Sequence, residues 1–417
     1  MQIRALTIIL VFCFPILLFS QVEELNPPNY IKTITFKSAN TQQGELPILQ
    51  LNEPFLLEFD ALVTTEPDFY YTIEHYNYDW TKSNLVKMEY MIGFDDYRIV
   101  DYSNSYNAYQ LYSHYRLQIP NQQTRALTKS GNYLISIYND DRELVFTRKF
   151  MIYEQKLGVG VEIKRSRDVR YIAGKQNVDI RINTGGVNVN NPLQTINTLI
   201  IQNNNLRTAI KEVKPQYTLG QQLVYRYTDE TAFWAGNEFR FFENKDVRAA
   251  NVGVQFIDLK DIYHNYLFVN FERASQPYTY NPDINGNFLV TALNVEDVNI
   301  EADYTMTHFA LAYPELTDGS KIYIYGNFNN YALEDMNRMV YNRIKKRYEA
   351  AFKLKQGFYN YKYVVLNPDG KLDEGRISGN YWQTENNYKV LVYYRDLGAR
   401  YDELIGFGEA TSVNISN

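Results

Sequence analysis

Apolar side chains in this chain recur at every second position in short runs, and no comparable stretch follows the helical period. Phe55, Leu57, Phe59, Ala61 and Val63 share one face of an extended segment, while Glu58 and Asp60 point to the other. Similar runs lie at 133–138, 144–152, 223–227, 239–242 and 266–271. Asn203 to Asn205, Asp283 to Gly286 and Pro368 to Gly370 supply residues that tolerate positive φ, so the runs read as strands joined by tight turns. The aromatic content, 38 Tyr and 23 Phe against 3 Trp, suits pleated, half-buried surfaces. With 45% hydrophobic and 22% charged residues the chain can bury enough surface to fold, and its 417 residues exceed what one small core serves. The expectation is an all-β protein of tandem immunoglobulin-like β-sandwich domains with few, short helices.

Residues 1–20 read as a secretory signal peptide: Arg4 gives a positive start, Ala5 to Phe19 an apolar stretch, and Ser20 a small residue before cleavage at Gln21. The one cysteine, Cys13, lies inside that stretch rather than at its end, which argues against a lipid anchor and leaves the exported chain without a thiol. No later segment is long and apolar enough to span a bilayer as a helix. Two boundaries are expected, one where a strand run gives way to Gly158 and Gly160, the other in the acidic stretch from Asn294 to Asp303. They divide the exported chain into an N-terminal β-sandwich at 21–155, a middle β-rich domain at 156–300 and a C-terminal sandwich at 301–417.

A formal net charge of −6 provides no global positive field for nucleic acid. Two basic clusters, Lys164 to Arg170 and Arg343 to Arg347, read as docking patches or as solvated loops. Catalytic patterns are missing: His75, His114, His264 and His308 have no metal-ligand spacing, and no nucleophile elbow, phosphate loop or dinucleotide fingerprint occurs. Asn281, Asp283, Asn285 and Gly286 begin like a calcium loop, but Ala292 stands where the bidentate acid belongs, so a hairpin turn is expected. The acid pairs Asp95 and Asp96, Asp140 and Asp141, and Asp373 and Glu374 are sequence neighbours, which point apart on a strand. No catalytic residue, metal site or cofactor is assigned, and no enzyme is expected.

In the last third, Ile322 to Tyr331, Met339 to Asn342, Tyr348 to Leu354 and Gly357 to Val364 resemble the immunoglobulin-like sandwich of family 48 carbohydrate-binding modules. That resemblance implies a glycan site in which sugar rings stack on aromatic faces, with Tyr331, where the motif usually has Trp, and Trp382 as its residues. The residues alone also allow Tyr359, Tyr361 and Tyr363 to be one strand face and Trp382 to be core or interface.

Over nearly the whole exported chain the sequence resembles the plug proteins of the type IX secretion system of Bacteroidetes-type bacteria. The stretches that carry this are Ser38 to Phe59, Gly185 to Pro192, Lys214 to Tyr217, Gly236 to Phe241, Ile300 to Tyr304, Thr384 to Tyr388 and Gly398 to Gly406. The resemblance implies a non-enzymatic periplasmic protein that binds and closes the periplasmic opening of a giant outer-membrane β-barrel translocon, without inserting into the membrane itself. The alternative from the C-terminal domain is a periplasmic or surface glycan-binding protein. An outer-membrane barrel fits less well, since its strands should recur at roughly 10 residues with a lipid-facing band.

Overall fold

The computed structural model describes residues 21–41, 44–413 and 415, so the expected signal peptide and Cys13 lie outside the described residues. Alternation of apolar residues produces three β-sandwiches, each from two sheets that face one another. In the first, the sheet of Ile31–Ser38, Phe55–Ala61, Ser113–Ile119 and Asp101–Asn104 packs on that of Ile48–Gln50, Leu144–Tyr153, Gly131–Tyr138, Tyr70–Tyr76 and Tyr97–Arg98. Its core is aromatic: Phe59 stacks on Tyr115 at 5.2 Å between centroids and meets Phe69 edge-on at 5.1 Å. Each such ring contributes about 1.5–3 kcal/mol by leaving water.

The second sandwich sets Gly158–Arg165, Lys175–Asn183, Gln222–Tyr225, Tyr217–Leu219 and Ala232–Trp234 against Ile210–Val213, Ile196–Gln202, Asn387–Tyr394 and Glu403–Thr411. Strand Asn387–Tyr394 pairs antiparallel with Ile196–Gln202, matching Tyr394 to Ile196 and Tyr388 to Gln202. The third sandwich therefore sits between two strands of the second. One of its sheets centres on Gly357–Leu366, flanked by Arg240–Glu243, Phe288–Val290 and Lys321–Tyr325. The other runs Val254–Leu259, Tyr263–Leu267, Tyr304–Ala312, Arg347–Lys355, Val340–Asn342.

This topology corrects the expected division at 300/301. Strands expected in the middle domain, such as Arg240–Glu243 and Val254–Leu259, belong to the third sandwich, and the last two strands belong to the second. The acidic stretch expected to hold the boundary contains a one-turn helix, Val298–Glu301, capped by Asp297 accepting from Asn299 N at 2.9 Å. Pairing between strands nearly two hundred residues apart leaves no local mark in the sequence, whereas acidic turns do.

Among the described residues the α-helices are four-residue turns, at Lys87–Tyr90, Pro192–Thr195, Val298–Glu301 and Gly375–Ser378, and none is long and apolar enough to cross a membrane. Turn chemistry follows the sequence: Asn203, Asn204 and Asn285 adopt positive φ, as do Gly286 and Gly370. The three sandwiches contact one another directly. Tyr393 Oη donates to Asn132 Oδ1 at 2.6 Å between second and first, and Lys389 Nζ to Glu45 Oε2 at 2.8 Å. Tyr331 Oη donates to the Asn203 carbonyl at 3.1 Å between third and second.

Candidate functional site

Strand Phe55–Ala61 is buried at every position, including Glu58 and Asp60 on the face that alternation assigns to solvent. The third sandwich covers that face. Asp60 Oδ2 receives Lys355 Nζ at 2.7 Å and Tyr304 Oη at 2.6 Å, while its Oδ1 receives His114 Nδ1 at 2.7 Å. The side chains of Asp60 and Lys355 are each 1% exposed. A bulge positions one more partner: Thr33 takes φ 51°, a costly left-handed conformation for a β-branched residue, and its hydroxyl meets Tyr304 Oη. Lys355 also donates to the Asn299 carbonyl at 2.6 Å and lies 4.2 Å from the Tyr112 ring centroid.

The network's charges follow from burial set against pairing. Burial raises the Asp60 carboxyl, but Lys355 and His114 outweigh it and hold it below the usual range. Burial likewise raises Glu58, and the neighbouring His114 with the charge of Lys37 carries it down to about 2. For His114, burial lowers and the two carboxylates raise, with a net rise. Burial lowers Lys355, with Asp60 opposing. His114 Nε2 is 3.6 Å from Glu58 Oε1, beyond hydrogen-bonding reach. A cleft of about 470 Å³ opens over these groups, lined also by Thr35, Lys37 and Arg116. Chemically this is an ionic lock: its carboxylates are committed to cations of the same chain.

The glycan candidates are not brought together. Tyr331 is 2% exposed, its hydroxyl bonded to backbone carbonyls, so it presents no ring face. Trp382 is half-buried, and the Arg165 guanidinium lies 4.6 Å from its ring centroid, where a sugar would sit. Tyr359, Tyr361 and Tyr363 are buried in the third core. Asp283 accepts from the amides of Asn285 and Phe239, forming a turn, and burial pushes its carboxyl up to about 7. Asp95 holds Lys87 at 2.7 Å, Asp96 pairs with Arg142, Asp373 caps Gly375 and Arg376, and Glu374 pairs with Lys362. Arg167 pairs with Asp179 and Arg170 with Asp168, while Arg343 meets Glu315 and both Lys345 and Arg347 meet Glu349. Among the described residues no group of three or more metal-ligating side chains converges.

Two features went unseen in the sequence. The Asp60 network joins residues up to 295 positions apart. His264 and His308, which carry no motif spacing, are brought to 2.8 Å between Nδ1 and Nε2 by parallel pairing of their strands. The exposed apolar surface is also uneven. From Val86 to Tyr97 the side chains of Val86, Met88, Ile92, Phe94 and Tyr97 are exposed, Met88 to 90%. Asp95 fixes this segment by accepting from Ile73 N at 2.7 Å and pairing with Lys87. A single exposed apolar side chain is ordinary, whereas here five lie within one short, tethered segment.

The model of the type 9 secretion system plug protein first domain matches residues 31–154, the whole first sandwich. A solved structure, that of a hypothetical protein from Parabacteroides merdae ATCC 43184, is similar at a TM-score of 0.89 and 33% identity, covering 93% of this chain and 98% of that one. The three N-terminal domains of the highly immunogenic outer capsid protein of bacteriophage RB49 align at 10% identity with a TM-score of 0.14, which carries no argument. No curated protein matches the chain.

Proposed function

We propose, from the premise that this chain belongs to one family with the Parabacteroides merdae protein and carries the first domain of type 9 secretion system plug proteins, that it acts as a non-enzymatic plug of that system. In this reading it works in the periplasm and closes the periplasmic opening of the outer-membrane β-barrel translocon. The match over residues 31–154 is the observation that carries the reading. A barrel wide enough for folded cargo leaks small solutes unless something occludes it. An occluding body must keep its shape, and three sandwiches tied by buried contacts at each junction suit that demand. Met88, Ile92 and Phe94 offer a preformed apolar contact in the matched domain, so little ordering is needed on docking.

The test is permeability. Removal of the protein from its source should raise uptake of a large hydrophilic antibiotic across the outer membrane, with restoration by the wild-type chain but not by a Met88→Asp, Phe94→Asp double variant. Unchanged permeability on removal contradicts the plug reading.

A further inference from the structure

The outer face of the third sandwich carries a row of planar rings that stops short. Register sets the row: Phe256 lies opposite Tyr266, Tyr266 beside His308, and His308 opposite Ala351. The rings stack nearly parallel, 4.3 Å between Phe256 and Tyr266 at 10° and 4.1 Å between Tyr266 and His308 at 9°. Successive strands lie roughly 4.8 Å apart, so each strand adds one ring to the stack. The fourth strand adds only a methyl group, and the position past His308 is open.

That opening belongs to a cleft of about 370 Å³. Ala310 and Ala351 keep it free of bulk, Phe256, Tyr266 and His308 line it with rings, and Lys345, Arg347 and Glu349 line it with charge. Its rings are held in place: Lys260 Nζ bonds Tyr266 Oη at 3.1 Å, and His264 bonds His308 at 2.8 Å. The charged groups form one unit, with Glu349 Oε1 at 3.0 Å from Lys345 Nζ and 2.7 Å from Arg347 Nε, so donors and an acceptor stand side by side. Burial, then the neighbouring His264, lowers His308 to about 4, which keeps its ring neutral at physiological pH.

A ligand for this cleft needs a flat apolar face for the end of the stack and adjacent hydroxyls for a mixed donor and acceptor edge. An anion meets Glu349, to which both cations are already committed, and an aromatic ring alone leaves the charged edge unused. We propose that the cleft binds a saccharide, one pyranose ring filling the place over Ala351 against His308 and its vicinal hydroxyls bonding Glu349, Arg347 and Lys345. The site shares no residue with Tyr331 or Trp382, and it stands independently of the plug reading.

The test is saturation-transfer NMR on the full chain with maltotriose and with chitotriose as neutral probes. Transfer to at least one trisaccharide is expected. Ala351→Phe, which completes the ring row, should weaken binding by about tenfold or more while leaving the melting temperature equal or higher. Glu349→Gln should weaken it by about threefold to tenfold, and this variant with Tyr266→Leu reads the same site should Ala351→Phe not fold. Absence of transfer to both sugars overturns the proposal. So does sugar binding that Ala351→Phe or Glu349→Gln leaves unchanged, or transfer to N-acetyltyrosinamide with none to either sugar.

Discussion

Against the second sandwich the first buries Tyr76, Trp80, Leu134 and Met151 on Leu199, Ile201, Leu391 and Leu404, whereas against the third it buries Asp60 and His114 beside Lys355. The apolar cluster of the first contact is non-directional and works at any pH that leaves the chain folded, with the Lys389–Glu45 pair and the Tyr393–Asn132 bond beside it. The second is directional: each partner has one place, and each charge loses its compensation if its neighbour is removed. Apolar packing therefore supplies adhesion at one junction, while the ionic lock fixes relative position at the other.

Substitutions that separate the two mechanisms break or sharpen this contrast. Lys355→Met leaves Asp60 buried without its cation and should cost about 3–5 kcal/mol, seen as a lowered denaturation midpoint, while adding Asp60→Asn should recover much of the loss. Equal losses in single and double variants would contradict an ionic lock. Leu391→Ala at the apolar junction should cost about 2–5 kcal/mol, with no partner substitution able to restore it.

pH distinguishes the junctions next. Glu58 falls from its ordinary 4.5 to about 2, so its contribution is present above pH 4.5 and lost as pH falls toward 2. His114 is raised above its ordinary 6.5, so its contribution is present below that value and lost as pH rises through the folded one. Melting curves of Glu58→Gln should therefore converge on the wild type between pH 4.5 and 2, and those of His114→Gln should converge above pH 6.5. The Leu391→Ala curve should stay parallel throughout. The smallest effect expected is that of Tyr393→Phe, about 1 kcal/mol, from losing one buried bond to Asn132 at the junction of the first and second sandwiches.

The contrast also explains what the sequence makes legible. Strand runs such as Phe55 to Ala61, and the turns at Asn203 and Gly286, are local, since a two-residue period and a tolerance for positive φ are properties of neighbours in the chain. The same alternation misassigns Glu58 and Asp60, because whether a second face is wet or covered depends on the third sandwich, whose Tyr304 and Lys355 lie far along the chain. The end of the chain misleads similarly: Asn387–Tyr394 reads as a strand of the domain it follows, yet pairs with Ile196–Gln202. The ring row is hidden for a third reason, since Phe256, Tyr266, His308 and Ala351 become neighbours only through strand register. The aromatic residues that drew attention by motif, Tyr331 and Trp382, are occupied by the protein's own contacts.

The most direct test of the plug account is purification of the tagged chain from detergent-solubilised outer membranes of its source, with mass spectrometry of what co-elutes. The account predicts recovery of a very large outer-membrane β-barrel protein, with that recovery lost in the Met88→Asp, Phe94→Asp variant. Recovery of the chain alone would contradict it.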